Sequence, residues 1–374
     1  MGKEWAIHRK RRSYAWGCPT PAQHPDVPLS RSGLVPTGLA LRGGFACDNV
    51  RMIDILWVTT PFFALVLAGF WAVQSGRLSL GAIPGLNNFV LYFALPCMLF
   101  RFGATTDVQQ LLQPAAALVY ALVQVLMLAL ALGLTLGGRT RWKDGALGAL
   151  VAAFPNSGFM GLPLLIGLLG KAMAAPVILC IAIDMVFTSS VCMALMQMDG
   201  HGLRDMGAAL RKALRGVLSN PMAWSILLGA GFSIMGWQLP GPAEKTVWML
   251  ADAASPAALF VIGAVLARAR RQDEGASDGG WQGVWPLVGL KLVAHPLLVL
   301  ALGLSAMQLG FELSASTWIT MIMVAALPSA SNVSLLAERF EANSARIAHI
   351  IMVTTVLSFV TFSGVVYVLT RVLS

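Results

Sequence analysis

The segment Phe154-Pro-Asn-Ser-Gly-Phe-Met-Gly-Leu-Pro163 interrupts an apolar stretch near residues 146–170. Pro155 lacks a backbone N–H and clashes with the preceding turn, so a helix breaks there. A second segment, Leu327-Pro-Ser-Ala-Ser-Asn-Val-Ser334, interrupts another apolar stretch in the same way. Unwound backbone at membrane depth is tolerated only where it is buried in protein or lines a cavity. The two segments therefore predict helix breaks at functional positions.

The composition predicts an all-α integral membrane protein. Of the 374 residues, 57% are hydrophobic and 11% are charged, against about 25% charged residues in soluble domains. Uncharged runs match the ~20 apolar residues that a helix needs to cross a ~30 Å hydrocarbon core. The five cysteines show no paired spacing, which argues against a disulfide framework or a zinc site. We expect no cofactor and no metal.

The apolar stretches predict ten transmembrane spans that begin at Met52. They lie near 52–73, 85–104, 113–137, 146–170, 174–196, 221–238, 246–267, 284–307, 314–338 and 343–370. This divides the chain into a disordered basic tail, a first five-helix repeat, a cytoplasmic linker and a second five-helix repeat. The four parts are 1–51, 52–196, 197–220 and 221–374.

Two sequence matches predict that the halves are inverted copies. Ala94-Leu-Pro-Cys-Met-Leu-Phe-Arg-Phe-Gly-Ala104 agrees with Ala254-Ser-Pro-Ala-Ala-Leu-Phe-Val-Ile-Gly-Ala264 at six of eleven positions. Ala152-Ala-Phe-Pro155 likewise matches Ala325-Ala-Leu-Pro328. Because five spans is an odd number, the second copy enters the membrane from the opposite side, as in many secondary transporters. The alternative is chance similarity among helices rich in alanine, leucine and proline.

The basic residues predict the orientation. The loops are numbered by the span that they follow. Thirteen basic residues fall in the odd-numbered loops, after spans 1, 3, 5, 7 and 9, and two fall in the even-numbered loops, after spans 2, 4, 6 and 8. Since cytoplasmic loops carry the excess of lysine and arginine, both termini should lie outside an inner (plasma) membrane. Residues 1–51 hold +5 of the total charge of +9 and would then lie on the wrong side. Either Met52 is the true start or the tail is an exposed arm; the small remaining charge argues against a nucleic-acid partner.

The two breaks predict a substrate site. In an inverted repeat they meet near the midplane, where each restarted helix presents free N–H groups and about half a positive charge. Their asparagines and serines are also favoured helix N-caps. This chemistry suits a carboxylate; the alternative is two structural kinks filled by neighbouring side chains. The predicted substrate-binding residues are Pro155, Asn156, Ser157, Pro328, Ser329, Ser331 and Asn332.

Three ionisable residues predict a second function, coupling to H⁺ or Na⁺. Asp184 lies in the middle of span 5, where a carboxylate is costly and by default functional. It could bind a cation, relay a proton or pair with Lys291. Lys291 and His295 are four residues apart and share a helix face, although Lys291 could instead snorkel to the interface. Near the outer ends of spans 2 and 7, Arg101 is expected to snorkel and Asp252 to be solvated.

These segments resemble the auxin efflux carrier family, which includes plant auxin exporters and bacterial malonate and malate permeases. Further matching segments are Asn87-Asn-Phe-Val-Leu-Tyr-Phe-Ala-Leu-Pro96 and Thr354-Thr-Val-Leu-Ser358. The resemblance implies two inverted five-helix repeats, crossing broken helices in spans 4 and 9, and a homodimer. It also implies elevator-type movement of spans 3–5 and 8–10 against a scaffold of spans 1, 2, 6 and 7.

The resemblance further implies that the prolines and asparagines of the crossover hold the substrate carboxylate; Pro155, Asn156, Pro328 and Asn332 match them. Only about 24 residues separate spans 5 and 6, unlike the long central loop of the plant proteins. This departure indicates a bacterial-type carrier.

We therefore expect a secondary permease for small organic anions in the lipid bilayer. The alternative is a sodium-coupled organic anion symporter of the bile-acid type. An enzyme is disfavoured because there is no HExxH, GxSxG or clustered His/Asp motif. A receptor-like protein would need a soluble sensory or output domain, and the sequence contains none that we recognise.

Overall fold

The computed structural model describes residues 52–106, 113–136, 141–196, 221–273, 283–340 and 342–372. The predicted tail, 1–51, and linker, 197–220, lie outside these ranges. Within them the chain is α-helical and forms no strand, apart from one isolated backbone bridge. The prediction of an all-α protein is confirmed.

Besides a short 3-10 helix at Lys171–Met173, the described residues form twelve helices. In chain order, α1 to α6 are Met52–Gln74, Leu80–Thr105, Pro114–Leu136, Trp142–Ala153, Ser157–Leu169 and Ala174–Met196. Helices α7 to α12 are Pro221–Met235, Gly241–Asp273, Val284–Gln308, Ala315–Ala325, Val333–Arg339 and Ser344–Val372.

Six of these helices are long and apolar enough to cross a membrane: α2, α3, α6, α8, α9 and α12. Shorter apolar helices of 10–17 residues lie in α1, α5, α7 and α10. Predicted span 4 corresponds to α4 and α5, and predicted span 9 to α10 and α11. The chain leaves the helical conformation between the members of each pair, at the two proline segments.

Two glycines bring α1 and α8 into backbone contact. A Cβ atom on Gly69 would lie 1.9 Å from the carbonyl oxygen of Phe260, and one on Gly263 would lie 1.8 Å from that of Val66. No side chain fits at either position. Small residues of this kind let membrane helices approach closely and pack without a hydrophobic driving force.

A second glycine pair joins α2 to α7 in the same way. A Cβ on Gly103 would lie 2.8 Å from the carbonyl oxygen of Ile226, and one on Gly229 would lie 2.4 Å from that of Phe100. The two glycine pairs repeat along the chain at one spacing. Gly229 lies 160 residues after Gly69, and Gly263 lies 160 residues after Gly103. Helix α8 also packs on α2, so α1, α2, α7 and α8 form one group.

The remaining helices form a second group. Helix α3 contacts α4 and α9, α4 contacts α6, and α9 contacts α10. Helix α12 packs on both groups, since it also contacts α1 and α8. At that boundary the rings of Phe63 on α1 and Phe359 on α12 meet edge to face, with their centroids 4.8 Å apart.

Candidate functional site

The two helix breaks pair directly with each other. Pro155 and Ser329 lie opposite one another in an antiparallel backbone bridge. The backbone N–H of Asn156 donates to the carbonyl oxygen of Pro328 at 2.8 Å. Each proline removes a hydrogen bond from its own helix, and the freed backbone finds a partner in the other break.

Other backbone groups of the breaks are also hydrogen-bonded. The N–H of Ala330 donates to the carbonyl oxygen of Phe154 at 3.0 Å. The N–H of Ser329 donates to Oγ1 of Thr354 on α12 at 3.2 Å. The carbonyl oxygen of Asn156 accepts from two N–H groups in the first turn of α5, at 3.1 and 3.0 Å. Because buried backbone needs such partners, these bonds let the unwound segments lie inside the protein.

Several polar side chains at the breaks have no partner among the residues that the structure describes. Oγ of Ser329 and Oδ1 of Asn332 are buried without a hydrogen bond. Asn156 is 3% exposed. It occupies the expected N-cap position of α5, but its side chain does not make the capping bond. Buried polar groups without partners are costly, which makes Ser329 and Asn332 candidates for contact with a ligand, and Asn156 joins them because its side chain makes no capping bond.

A small cavity lies where the breaks meet. Its volume is about 20 Å³, and residues 154–159 of the first break form most of its wall. Ala330 and Asn332 of the second break, Leu95 of α2 and Met185 of α6 complete it. A volume of this size holds about one water molecule. The cavity is thus polar on the side of the asparagines and too small for a ligand larger than water.

The predicted substrate-binding residues divide into two sets around this cavity. Pro155, Asn156, Ser157 and Asn332 line it. Pro328, Ser329 and Ser331 belong to the second break but do not form its wall. Ser331 is buried, and its carbonyl oxygen accepts from the hydroxyl of Ser334 at 2.8 Å.

A much larger cavity, of about 820 Å³, lies between α1, α8 and α12. Phe63, Phe359 and Thr355 are among its lining residues, most of which are apolar. It shares no lining residue with the cavity at the breaks. Its wall also includes Arg270 and His349. Because neither helix break reaches this cavity, we place the candidate site at the breaks.

The predicted coupling residue Asp184 lies in a second buried polar region. Its carboxylate accepts hydrogen bonds from the hydroxyl of Tyr120 at 3.0 Å, the amide of Gln124 at 2.6 Å and the hydroxyl of Thr188 at 3.3 Å. All four side chains are completely buried. Sequence reasoning missed Tyr120 and Gln124. They could have been found because they are four residues apart in an otherwise apolar span, which places both on one face of α3.

Lys291 and His295 lie in the same region. The ammonium of Lys291 is 2.9 Å from Nδ1 of His295, and it donates to the carbonyl oxygen of Ala325 at 3.3 Å. Lys291 is completely buried, so the alternative that it snorkels to the interface is wrong. The ring of His295 lies 6.3 Å from that of Tyr120, measured between centroids, which places the two pairs side by side. The described residues contain no direct ion pair between Lys291 and Asp184.

Arg101 and Asp252 form a peripheral ion pair that the sequence did not predict. A guanidinium nitrogen lies 2.5 Å from a carboxylate oxygen, and the side chain of Asp252 is 72% exposed. Exposed pairs of this kind contribute little to stability. No group of three or more potential metal ligands occurs in the part of the chain that the structure describes.

The chain is similar in sequence to known membrane transport proteins. The model of the family described as "Membrane transport protein" matches residues 57–366. The chain is 28% identical over 320 residues to the "Putative malonate transporter" of Rhizobium meliloti (strain 1021), covering 85% of this chain and 97% of that protein. It is 22% identical over 283 residues to the "Uncharacterized transporter YfdV" of Escherichia coli (strain K12), covering 75% and 86%. A shorter match, 28% identical over 122 residues, covers 32% of this chain and 20% of "Auxin efflux carrier component 4" of Arabidopsis thaliana.

Proposed function

Because the chain belongs to the membrane transport protein family, that of the auxin efflux carriers, we propose that this transporter is a secondary permease for small organic anions. Mono- and dicarboxylates are the proposed substrates. Malonate is the first candidate, since a relative that aligns over almost its whole length is named for it. The observation that carries the proposal is the pairing of two helix breaks beside buried polar side chains that lack partners.

The proposed architecture is ten membrane spans in two inverted five-helix repeats. In it, α4 with α5 and α10 with α11 are each one broken span, and the two cross at the bridge. The constant spacing of 160 residues between the glycine contacts supports this arrangement, because the same spacing relates Ala94–Ala104 to Ala254–Ala264. The antiparallel direction of the bridge also supports it, since inverted copies bring their breaks together in opposite directions.

Asn156 and Asn332 are proposed to bind the carboxylate. Each side-chain amide carries two N–H donors. The Asn156 amide makes no capping bond, and Oδ1 of Asn332 is buried without a hydrogen bond. A half-turn of the amide exchanges its oxygen and nitrogen with little change in shape, so both can present donors to an anion. Pro155, Ser157, Pro328, Ser329 and Ser331 would hold the two breaks in position around it.

The proposed mechanism is elevator-type alternating access. A cavity of about 20 Å³ is too small for a three-carbon dicarboxylate, so the site must open for substrate to enter. The glycine contacts bind α1, α2, α7 and α8 closely together, which suits a fixed scaffold. The second group of helices carries both breaks and would move against that scaffold, with α12 sliding at the boundary.

Transport by the purified protein in liposomes tests the proposal. Preloaded malonate should drive counterflow of labelled external malonate, and a panel of mono- and dicarboxylates should compete for it. A matched cationic or neutral panel should not compete. If no carboxylate is bound or exchanged by a folded, reconstituted protein, the proposed substrate class is wrong.

The proposed location is the inner (plasma) membrane with both termini outside, in a homodimer. The loop charges support the orientation, and the dimer rests on the family resemblance alone.

Cross-linking in native membranes, followed by electrophoresis, tests the dimer. A chain that stays monomeric at every cross-linker length would contradict it.

A further inference from the structure

Three helices of the second group bring six polar side chains together in the protein interior. Helix α3 contributes Tyr120 and Gln124, α6 contributes Asp184 and Thr188, and α9 contributes Lys291 and His295. All six are completely buried. We call these six residues the polar cluster. Ionisable groups at such a depth are costly and are retained mainly for function.

The polar cluster holds one acidic and one basic side chain. These are Asp184 and Lys291, each hydrogen-bonded to neutral groups. The other titratable groups that face them are Tyr120, His295 and the thiol of Cys180, one turn before Asp184. The gain or loss of one proton therefore changes the net charge of a buried region by a full unit.

The contacts of Asp184 suit a proton better than a metal cation. Hard cations in proteins are held by several oxygen acceptors. Here Tyr120, Gln124 and Thr188 all donate to the carboxylate. The oxygen of the Gln124 amide is buried without a partner, but one amide oxygen does not supply the several acceptors that a hard cation needs, and the charge of Lys291 repels a second cation. A proton needs one free oxygen lone pair, which a carboxylate with four lone-pair sites still has.

One residue of the polar cluster bonds to the chain just before the second break, and the chain neighbour of another lines the cavity at the breaks. Lys291 donates to the carbonyl oxygen of Ala325, the last residue of α10 before the second break. Met185, the neighbour of Asp184, lines the cavity between the breaks. The polar cluster therefore lies next to the place where the substrate anion is proposed to bind.

We propose that Asp184 binds the coupling proton and that Lys291 transmits its effect to the crossover. This inference rests on the proposed function. A proton that moves from water to the Asp184 carboxylate leaves the charge of Lys291 uncompensated, which attracts an anion. The anion and the proton cross together, and both are released on the other side as the carboxylate regains its negative charge. Low pH on the substrate side should therefore strengthen binding.

Infrared difference spectroscopy tests the proton site without any substrate. In lipid-reconstituted protein, a pH step should change the carboxylic-acid carbonyl band of the wild type. That change should be missing in Asp184→Asn, which keeps the size of the side chain, and present in Asp252→Asn, which makes the same change at the exposed carboxylate. Identical spectra for all three proteins would overturn the proposal.

A second variant covers the case in which Asp184→Asn does not fold. Tyr120→Phe removes one donor to the Asp184 carboxylate and so favours its protonated form. The pH midpoint of the carbonyl band should rise by about one unit, because a hydrogen bond to a charged group stabilises it by an amount of that order. An unchanged midpoint would contradict the assignment of the band to Asp184.

Transport of malonate then tests coupling. Wild-type liposomes should accumulate malonate when the outside is acidic, and Asp184→Asn should exchange malonate but not accumulate it. Accumulation by Asp184→Asn equal to that of the wild type, or accumulation driven by a sodium gradient at constant pH, would refute proton coupling. If the wild type carries no malonate, the proposed substrate is wrong, and the infrared result still decides the proton site.

Discussion

The backbone N–H of Asn156 donates a hydrogen bond to the carbonyl oxygen of Pro328 at 2.8 Å, and this bond joins two segments that are 172 residues apart. It uses the main chain of Asn156 and leaves the side-chain amide beside the cavity. The break is therefore held by backbone, while the side chain is available for a ligand. Substitution of the side chain should disturb binding more than folding.

Asn156→Leu and Asn332→Leu should each weaken substrate binding. Leucine roughly keeps the volume and removes both N–H donors, each of which could make a charge-assisted bond with a net contribution of about 1.5–3 kcal/mol. Since ~1.4 kcal/mol is a factor of ten, apparent affinity should fall about ten- to a hundredfold. Concentration-dependent counterflow measures this, with membrane insertion checked in parallel.

Asn88→Leu is the matched control for these variants, because Asn88 is an exposed asparagine on α2. It should bind and transport like the wild type. Normal transport by both Asn156→Leu and Asn332→Leu would show that the crossover is a structural kink and that substrate binds elsewhere.

Gly229→Ala should destabilise the protein strongly. The new Cβ would lie 2.4 Å from the carbonyl oxygen of Phe100, so α2 and α7 would have to separate. Overpacking of this kind costs about 1–3 kcal/mol. Thermal unfolding in detergent should show a clear decrease in the transition temperature.

Gly231→Ala makes the same chemical change two residues later on α7, where no neighbouring atom lies within 4 Å of the new Cβ. Alanine is favoured over glycine in a helix by up to about 1 kcal/mol, so stability should stay equal or rise slightly. Equal stability of the two alanine variants would refute the proposed backbone contact between α2 and α7.

A covalent link between the two helix groups should stop elevator movement. Cysteines at Phe63 and Phe359 place the link across the boundary between α1 and α12, where the rings are 4.8 Å apart. A short thiol-specific cross-linker, applied after the five native cysteines are replaced by alanine, should abolish counterflow. Cleavage of the linker should restore it.

Cysteines at Phe100 and Phe232 provide a matched pair within the proposed scaffold. Those rings also meet edge to face, with centroids 5.2 Å apart, but both belong to the first helix group. The same cross-linker should leave counterflow intact there. Transport that survives a complete Phe63–Phe359 link would exclude relative movement at this boundary.

Reporter fusions test the orientation. Because 13 basic residues lie in the odd-numbered loops and two in the even-numbered ones, a reporter after Ser374 should be active outside the cytoplasm. A reporter inserted near Arg211 should be active inside it. Reversal of both signals would invert the proposed topology.

The sequence alone determined the class of the protein, the helix positions and the two breaks. Most bounds lie within a few residues of the predicted spans; the span predicted at 113–137, for example, is Pro114–Leu136. The spans could be predicted because the thickness of the hydrocarbon core sets the length of an apolar segment, and that length can be counted along the sequence. Pro155 and Pro328 were informative for the same reason, since a proline breaks the hydrogen bonding of its own helix wherever it lies.

Only the tertiary structure decided which groups meet. The sequence left Lys291 between a buried and a snorkelling position, and its contact with Ala325 decided for burial. It marked Asn156 as an N-cap residue, and Asn156 does precede α5, but its side chain makes no capping bond and its backbone N–H pairs with the other break. Tyr120 and Asp184, 64 residues apart, are hydrogen-bonded only because α3 packs on α6. Such contacts depend on how helix faces are turned towards each other, and a nearly uniform apolar sequence carries little information about that rotation.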